Sequence, residues 1–476
     1  MKRILSLLIS ILFIAGTVVP TVFGAPDESF YDRLSAFSNK LYALSSADED
    51  DNYAMSPLSV YLALAMLHFV GDADVKAEIE NFTGMNASDF AATADLVSNL
   101  TKVHRVDGQT VGQLLLSDTV WFDDSVSLNQ SVLMNMMRSI GCIAQQVPFA
   151  DNNAAANRTI REFIKQMTNG LIDRDFNLDE STALALINTL YFKDVWDLES
   201  SGGELLTDRL GFTTPSGAVE TLDFVKGKYL PGEAAENEYC TYFYARTAFG
   251  YKLKIIVPKD GVTLKEAMSK SNLDEVNSTT NYDKNSTPRE KHFTRCIFPE
   301  FTIDSDTPLL DILKADGSLS KTLSSAGFSS ALTNGGLAVS SIQHQTVLKV
   351  DRKGIEGAAV TSIGMAGTAI DETVKIYHDF IADRAFGYII TTPNDVVLFE
   401  GQVTNPADKA PEKPEVAGDA NGDGELNMKD VLIVRRVIAG LEAIDSESAR
   451  RASVTGGEFL SAKDVLKMRR IIAGLA

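Results

Sequence analysis

Apolar runs and the polar stretches between them divide this chain into a leader, a large region and a small C-terminal one. Residues 57–70 (PLSVYLALAMLHFV) are apolar almost throughout, which predicts a helix buried on all sides. Residues 182–192 (TALALINTLYF) form a nearly unbroken apolar run, which predicts a central strand covered on both faces. Shorter runs at 252–257 (KLKIIV), 346–350 (TVLKV) and 396–403 (VVLFEGQV) predict further strands, and 379–392 (DFIADRAFGYIITT) reads as another. Helical and strand-like stretches alternate through 26–403 without internal repeat. An α+β fold with large sheets follows. The chain start differs. Lys2 and Arg3 precede an apolar run from Ile4 to Val19, and Val22 and Gly24 lead to a cleavage point at Gly24–Ala25. That is the layout of a secretory signal peptide over residues 1–24, and no other stretch is apolar enough to span a bilayer.

Residues 404–417 (TNPADKAPEKPEVA) carry three prolines, several charges and no aromatic residue, so they read as a linker after a domain at 25–403. Beyond it, 426–440 (LNMKDVLIVRRVIAG) recurs as 460–474 (LSAKDVLKMRRIIAG), with ten of fifteen positions identical. This is a tandem loop–helix unit, placed in a small all-α domain at 418–476. Asp419, Asn421, Asp423, Asn427 and Asp430 fall at positions 1, 3, 5, 9 and 12 of a twelve-residue loop, with Gly424 at the sharp turn and the carbonyl of Glu425 at position 7. Hard oxygen ligands at that spacing suit calcium. The second copy offers Ser453, Thr455, Gly457, Ser461 and Asp464, with Glu458 at the turn. With one carboxylate where the first has three, it is expected to bind calcium weakly or not at all, which leaves one firm site.

Charge narrows the partners. Net charge is −20 and the isoelectric point near 4.7, so nucleic acid and acidic lipid are not expected as partners. Cys142, Cys240 and Cys296 are an odd number, and read as buried small apolar groups, with a Cys240–Cys296 bridge left open. The chain has five histidines and neither a GxSxG elbow nor an HExxH helix, so an enzyme is not expected.

Residues 357–370 (GAAVTSIGMAGTAI) hold no charge and no proline, between a strand ending in VDRKG and the run beginning DFIAD. A connection this long is usually functional, and an uncharged β-capable segment left outside is an aggregation hazard unless it has a job. Ile355, Gly357, Ala359, Thr361, Ile363 and Met365 would share one strand face, and none is charged. The segment is written to become a strand within a sheet.

Several motifs, in order, resemble the serpin family across residues 28–406. Residues 52–65 (NYAMSPLSVYLALA) match its NxxxSPxSxxxALA pattern, and Thr168, Gly170 and Ile172 match TxGxI. Residues 186–196 (LINTLYFKDVW) resemble VNAIYFKGxW, with Asp194 where glycine is usual. Residues 350–360 (VDRKGIEGAAV) resemble the hinge VxExGTEAAAA, with Arg352 for glutamate and Ile355 for threonine or serine; 380–386 and 398–406 resemble FxADHPF and LFMGRVxxP. The resemblance implies a secreted, monomeric protease trap. Its exposed loop is attacked by a serine protease, held as a covalent complex, and inserts as a new strand through the hinge Gly354, Ile355, Glu356, Gly357, Ala358 and Ala359. The family's spacing puts the reactive bond at Thr368–Ala369, within a window from Gly367 to Val374. No arginine or lysine lies between Lys353 and Lys375, so subtilisin-like or elastase-like targets fit better than trypsin-like ones. Ser56, Asn188 and His344 match the cluster that pins the opening sheet, and Trp196 the tryptophan near the top of the opening. A non-inhibitory serpin acting as a binding or structural module is the alternative.

The C-terminal pair of half-hands resembles a dockerin, which implies a cohesin module of a scaffoldin as partner and attachment to a cellulosome-type complex. The family's recognition positions fall on Met428, Lys429, Arg435 and Arg436, and on Ala462, Lys463, Arg469 and Arg470 in the second copy.

Overall fold

The computed structural model describes residues 28–45, 51–106, 109–168, 170, 172–197, 206–227, 229–231, 234–270, 280–281, 290–307, 309–323, 328, 332–333, 339–355, 374–407, 416–420, 426–440, 446–457, 459–473 and 475. The expected signal peptide lies outside them. So do residues 408–415 of the linker, Glu356 through Thr373 of the long loop, and Asn421 to Glu425 and Glu458 of the repeat.

The apolar run at 57–70 is the helix α1 (Pro57–Val70). Ser56 caps it, its hydroxyl accepting from Ser59 N at 3.2 Å, and Pro57 occupies the first turn where no N–H is needed. All its residues but Phe69 are buried, so burial rather than helical propensity holds it. The TxGxI motif is a helix stop. Helix α2 (Asn153–Met167) ends where Thr168 Oγ1 donates to Ile164 O at 2.8 Å and accepts from Ile172 N at 3.1 Å, with Gly170 at φ +81° turning the chain.

Among the described residues the strands build three sheets. The sheet that holds the candidate site contains β1 (Lys102–Val106), β2 (Gln109–Asp123), β3 (Ile143–Val147), β4 (Leu184–Val195), β5 (Phe301–Thr307), β6 (Ser341–Asp351) and the short β7 (Gly354–Ile355). Its order is β5-β6-β7-β4-β2-β1, with β3 alongside β2. The predicted central strand is β4, buried along nearly its whole length. The predicted strands at 252–257 and 346–350 lie within Lys252–Pro258 and β6, and the one at 396–403 is the strand Val397–Val403. One expectation is corrected. The run 379–392 is not a single strand: Val374–Ile381 pairs with Glu290–Pro299 in a five-stranded sheet, and Phe386–Thr391 joins a different, seven-stranded one. The chain switches sheets at residues 382–385, where Ala382 N still donates to Ile297 O at 2.9 Å and Thr213 N donates to Asp383 O at 2.7 Å.

A large hydrophobic core joins the N-terminal helix Glu28–Ser45, α1 and the sheets, and a second cluster packs α2 against Trp121. The chain stays packed past residue 403: Asn52 Oδ1 accepts from Thr404 N and Asn405 N at 2.8 and 3.0 Å. All three cysteines are thiols, so the Cys240–Cys296 bridge is not formed; Cys240 is buried with its Sγ 3.6 Å from Asn237 Oδ1, while Cys296 is only half-buried, beneath Gly227. Among the described residues of the C-terminal region the regular elements are the helices α3 (Met428–Ile438), α4 (Ser446–Ala452) and α5 (Ala462–Ile472), around a small core of Ala420, Val431, Val434, Ala452 and Met468.

Candidate functional site

The central sheet has a seam. At one end β6 and β4 pair directly and in parallel, from Ser341 opposite Ala185 to His344 opposite Asn188. At the other end β7 stands between them: Gly354 and Ile355 pair with Val195 and Asp194 on one side and with Asp351 and Val350 on the other. Residues 189–193 of β4 and 345–349 of β6 lie between these two ladders. The first two residues of the expected hinge are therefore already in the sheet, and the chain that follows them leads into the long loop.

Gly354 can enter because it is glycine. Its φ is +153°, and a Cβ there would stand 2.2 Å from Asp194 O and 2.8 Å from Val195 Cα. Ile355 is fully buried, on the inward face assigned to it from alternation. Trp196 frames the entry: it is buried, its Nε1 donates to Asp351 O at 2.7 Å, and its ring meets Phe298 edge-on at 5.9 Å. Arg352 is exposed at the turn between β6 and β7, where its N–H bonds Glu300 Oε1 at 3.1 Å. The departure from the family's glutamate thus sits outside the seam.

Below the entry, register aligns Thr307, His344, Asn188 and Asp118 across β5, β6, β4 and β2. All four are buried. His344 Nε2 accepts from Ser56 N at 2.9 Å and lies 3.2 Å from Thr346 Oγ1, so the cap of α1 is tied to the seam. Burial pushes the His344 pKa down to about 4 and keeps the ring neutral. Asn188 Nδ2 donates to Asp118 Oδ1, and burial pushes the Asp118 carboxyl up to about 7. Asn188 Oδ1 and Thr307 Oγ1 are buried with no hydrogen-bond partner. Ser56, Asn188 and His344 come together here; Trp196 stands apart, at the open end.

Two residues of this site went unassigned in the sequence. Asp118 sits in a strand with nothing local to mark it, and only the pairing of β2 with β4 brings it to Asn188. Asp194 registers in the sequence only as a departure from glycine. In the fold it is buried, accepts from Val195 N at 2.9 Å and Phe249 N at 3.4 Å, and so ties the turn after Arg246 to the top of β4; burial pushes its carboxyl up to about 7.

In the C-terminal repeat the described members of the first loop are Asp419, Asn427 and Asp430. Asp430 is buried and accepts from Ala420 N at 3.0 Å and Asn427 N at 2.8 Å, while Asn427 Oδ1 caps α3 through Lys429 N at 2.9 Å. Met428, Lys429, Arg435 and Arg436 lie on α3, and Ala462, Lys463, Arg469 and Arg470 on α5. The repeat also exposes apolar residues that the motif reading passed over: Leu432 and its equivalent Leu466 are 53% and 62% exposed, and Ile438 and Ile472 are equivalent and exposed too. The 34-residue offset was the signal that could have found them.

A family model described as "Serpin (serine protease inhibitor)" matches residues 32–406. Human neuroserpin is 24% identical over 416 residues, covering 84% of this chain and 96% of that protein. Serpin-Z4 of Arabidopsis thaliana is 26% identical over 383 residues, covering 75% and 92%. Among solved structures, Arabidopsis AtSerpin1 in its native stressed conformation superposes with a TM-score of 0.64 at 21% identity, covering 81% of this chain and 100% of that one. The thermophilic serpin tengpin in its native state gives 0.65 at 21% identity, covering 82% and 97%. With the family model spanning most of its length, the chain belongs to the serpin family of serine protease inhibitors, a family of inhibitors and not of enzymes.

Proposed function

We propose that this chain is a secreted suicide inhibitor of subtilisin-like or elastase-like serine proteases, tethered to a scaffold through its C-terminal repeat. The seam carries the inhibitory reading: two strands closed at one end and parted at the other by the start of the loop. The protease's serine oxygen attacks the carbonyl carbon of Thr368. The Thr368–Ala369 amide bond breaks, the Ala369 amine leaves with a proton, and an ester joins Thr368 to the protease. The new end is then free to follow Gly354 and Ile355 into the seam. In the inserted strand Gly357, Ala359, Thr361, Ile363 and Met365 would continue the buried face that Ile355 begins, and Glu356 and Ala358 would face the other way. Residues 189–193 and 345–349 gain a ladder partner, and each large apolar side chain buried contributes roughly 1.5–3 kcal/mol. Insertion carries the protease along and distorts its site before water cleaves the ester.

The C-terminal region reads as a dockerin. Asp419, Asn421, Asp423, Asn427, Asp430 and the carbonyl of Glu425 would hold one calcium ion, a set of hard oxygen donors that suits that cation. Bound calcium would fix the loop against the start of α3. Leu432 and Leu466, flanked by Met428, Lys429, Arg435, Arg436 and by Ala462, Lys463, Arg469, Arg470, would then offer an apolar, positively rimmed face to a cohesin module. Delivery outside the cell follows from the signal-peptide layout of residues 1–24.

Incubation with subtilisin tests the trap. A band at the summed mass that survives SDS is expected, and hydroxylamine, which cleaves esters, should dissolve it. Cleavage of the loop without such a band would favour the non-inhibitory binding module instead.

A further inference from the structure

The second loop of the repeat does not fit calcium, and the reason is more specific than missing carboxylates. Asp464, at the twelfth position, is fully buried. Its Oδ1 accepts from Thr455 N at 2.9 Å and from Thr455 Oγ1 at 2.6 Å; its Oδ2 accepts from Ser461 N at 2.9 Å and from Ser461 Oγ at 2.8 Å. A carboxylate has about four acceptor positions, and four donors fill them. None is left for a cation. Burial pushes the carboxyl up, but these hydrogen bonds outweigh it and hold its pKa below the usual carboxylate range. Two more contacts brace the loop: Ser453 Oγ donates to Gly457 O at 3.1 Å, and Lys467 Nζ to Val454 O at 2.6 Å. Gly456 makes the turn at φ +73°.

We infer that the second repeat is a metal-independent half, in which the hydroxyls of Thr455 and Ser461 do for Asp464 what a cation would do for the first loop. In a metal loop the carboxylate at position 12 joins the start of the helix to the start of the loop through the ion. Here Thr455 marks the loop and Ser461 the helix start, and Asp464 joins them directly. Thr455 and Ser461 hold the positions where the first loop has Asn421 and Asn427. Substitution of side-chain amides by hydroxyls, short enough to turn back onto the carboxylate, is what closes the loop. The consequence is an asymmetric module: removing calcium should loosen the start of α3 and leave the start of α5, with Leu466, Arg469 and Arg470, in place.

This inference rests on the calcium reading of the first loop, and the test separates the two. The full chain is titrated with calcium by calorimetry, and amide exchange is followed by mass spectrometry with and without EGTA. One bound ion is expected. Exchange in 419–430 should speed at least about tenfold on chelation while exchange in 453–464 is unchanged within twofold. Two bound ions, or equal loosening of both segments, would overturn the inference. No bound ion would overturn the calcium reading of the first loop alone. The double variant Thr455→Val/Ser461→Ala then judges the clamp directly. It should speed exchange in 453–464 at least about tenfold, with or without calcium, and leave 419–430 as in the parent. Unchanged exchange in 453–464 would overturn it.

Discussion

Asp194 and Gly354 meet at the mouth of the seam, and their contact shows how narrow that entry is. The Asp194 carbonyl would stand 2.2 Å from any Cβ at 354, and the backbone there has φ +153°. Gly354→Ala should therefore expel β7 and cost at least about 2 kcal/mol of stability, read as a lower urea midpoint. His344 makes a second residue-scale prediction. Its folded pKa of about 4 lies below the ordinary 6.5, so the unfolded chain binds the extra proton first. The stability it contributes is complete above pH 6.5 and is lost as pH falls towards 4. Between pH 7 and 4.5 the parent should lose roughly 2–3 kcal/mol more than His344→Gln, measured by urea unfolding. The comparison with the variant matters because Asp118 works the other way: with its pKa raised to about 7, its carboxyl destabilises the fold as pH rises above the ordinary carboxylate value. Glu400, buried with Oε1 unpartnered and its pKa pushed well above the ordinary value, adds to that opposite slope.

Among the elements, α1 and β4 were legible because burial on every side leaves a period-free apolar run, which composition alone reveals. Their neighbours were harder. β6 was expected only at 346–350 but begins at Ser341, because its first half is polar and is held by pairing with Ala185 to Asn188 on β4 rather than by its own apolarity. The run 379–392 read as one strand because both of its halves are strands; that they belong to different sheets depends on Ile297 and Thr213, which are distant in the chain. In the repeat, the two helices were predicted by duplication, yet duplication alone did not tell which face is buried. Val431 and Val434 pack inside against Met468 from the other copy, and Leu432 and Leu466 are left outside.

On the scale of the whole molecule, the proposed trap requires the described fold to be less stable than the one with the loop inside. Residues 189–193 of β4 and 345–349 of β6 lie between the two ladders of the seam. Nicking should let the loop pair with both. Scanning calorimetry of the nicked protein beside the intact one should show a melting temperature at least about 10 °C higher after nicking; no gain would remove the energetic basis of the trap.

The family, the order of its motifs, the hinge glycine and the calcium-type spacing of the first loop were all set by local sequence, because each depends on residue type at a fixed short separation. The joining of Asp118 to Asn188, the brace at Asp194 and the closure of Asp464 by hydroxyls were decided only by tertiary structure. Asp118 meets its partner on another strand, Asp194 reaches the turn at Phe249, and Asp464 joins the two ends of its loop, so the role of each follows from that enclosure rather than from residue type alone.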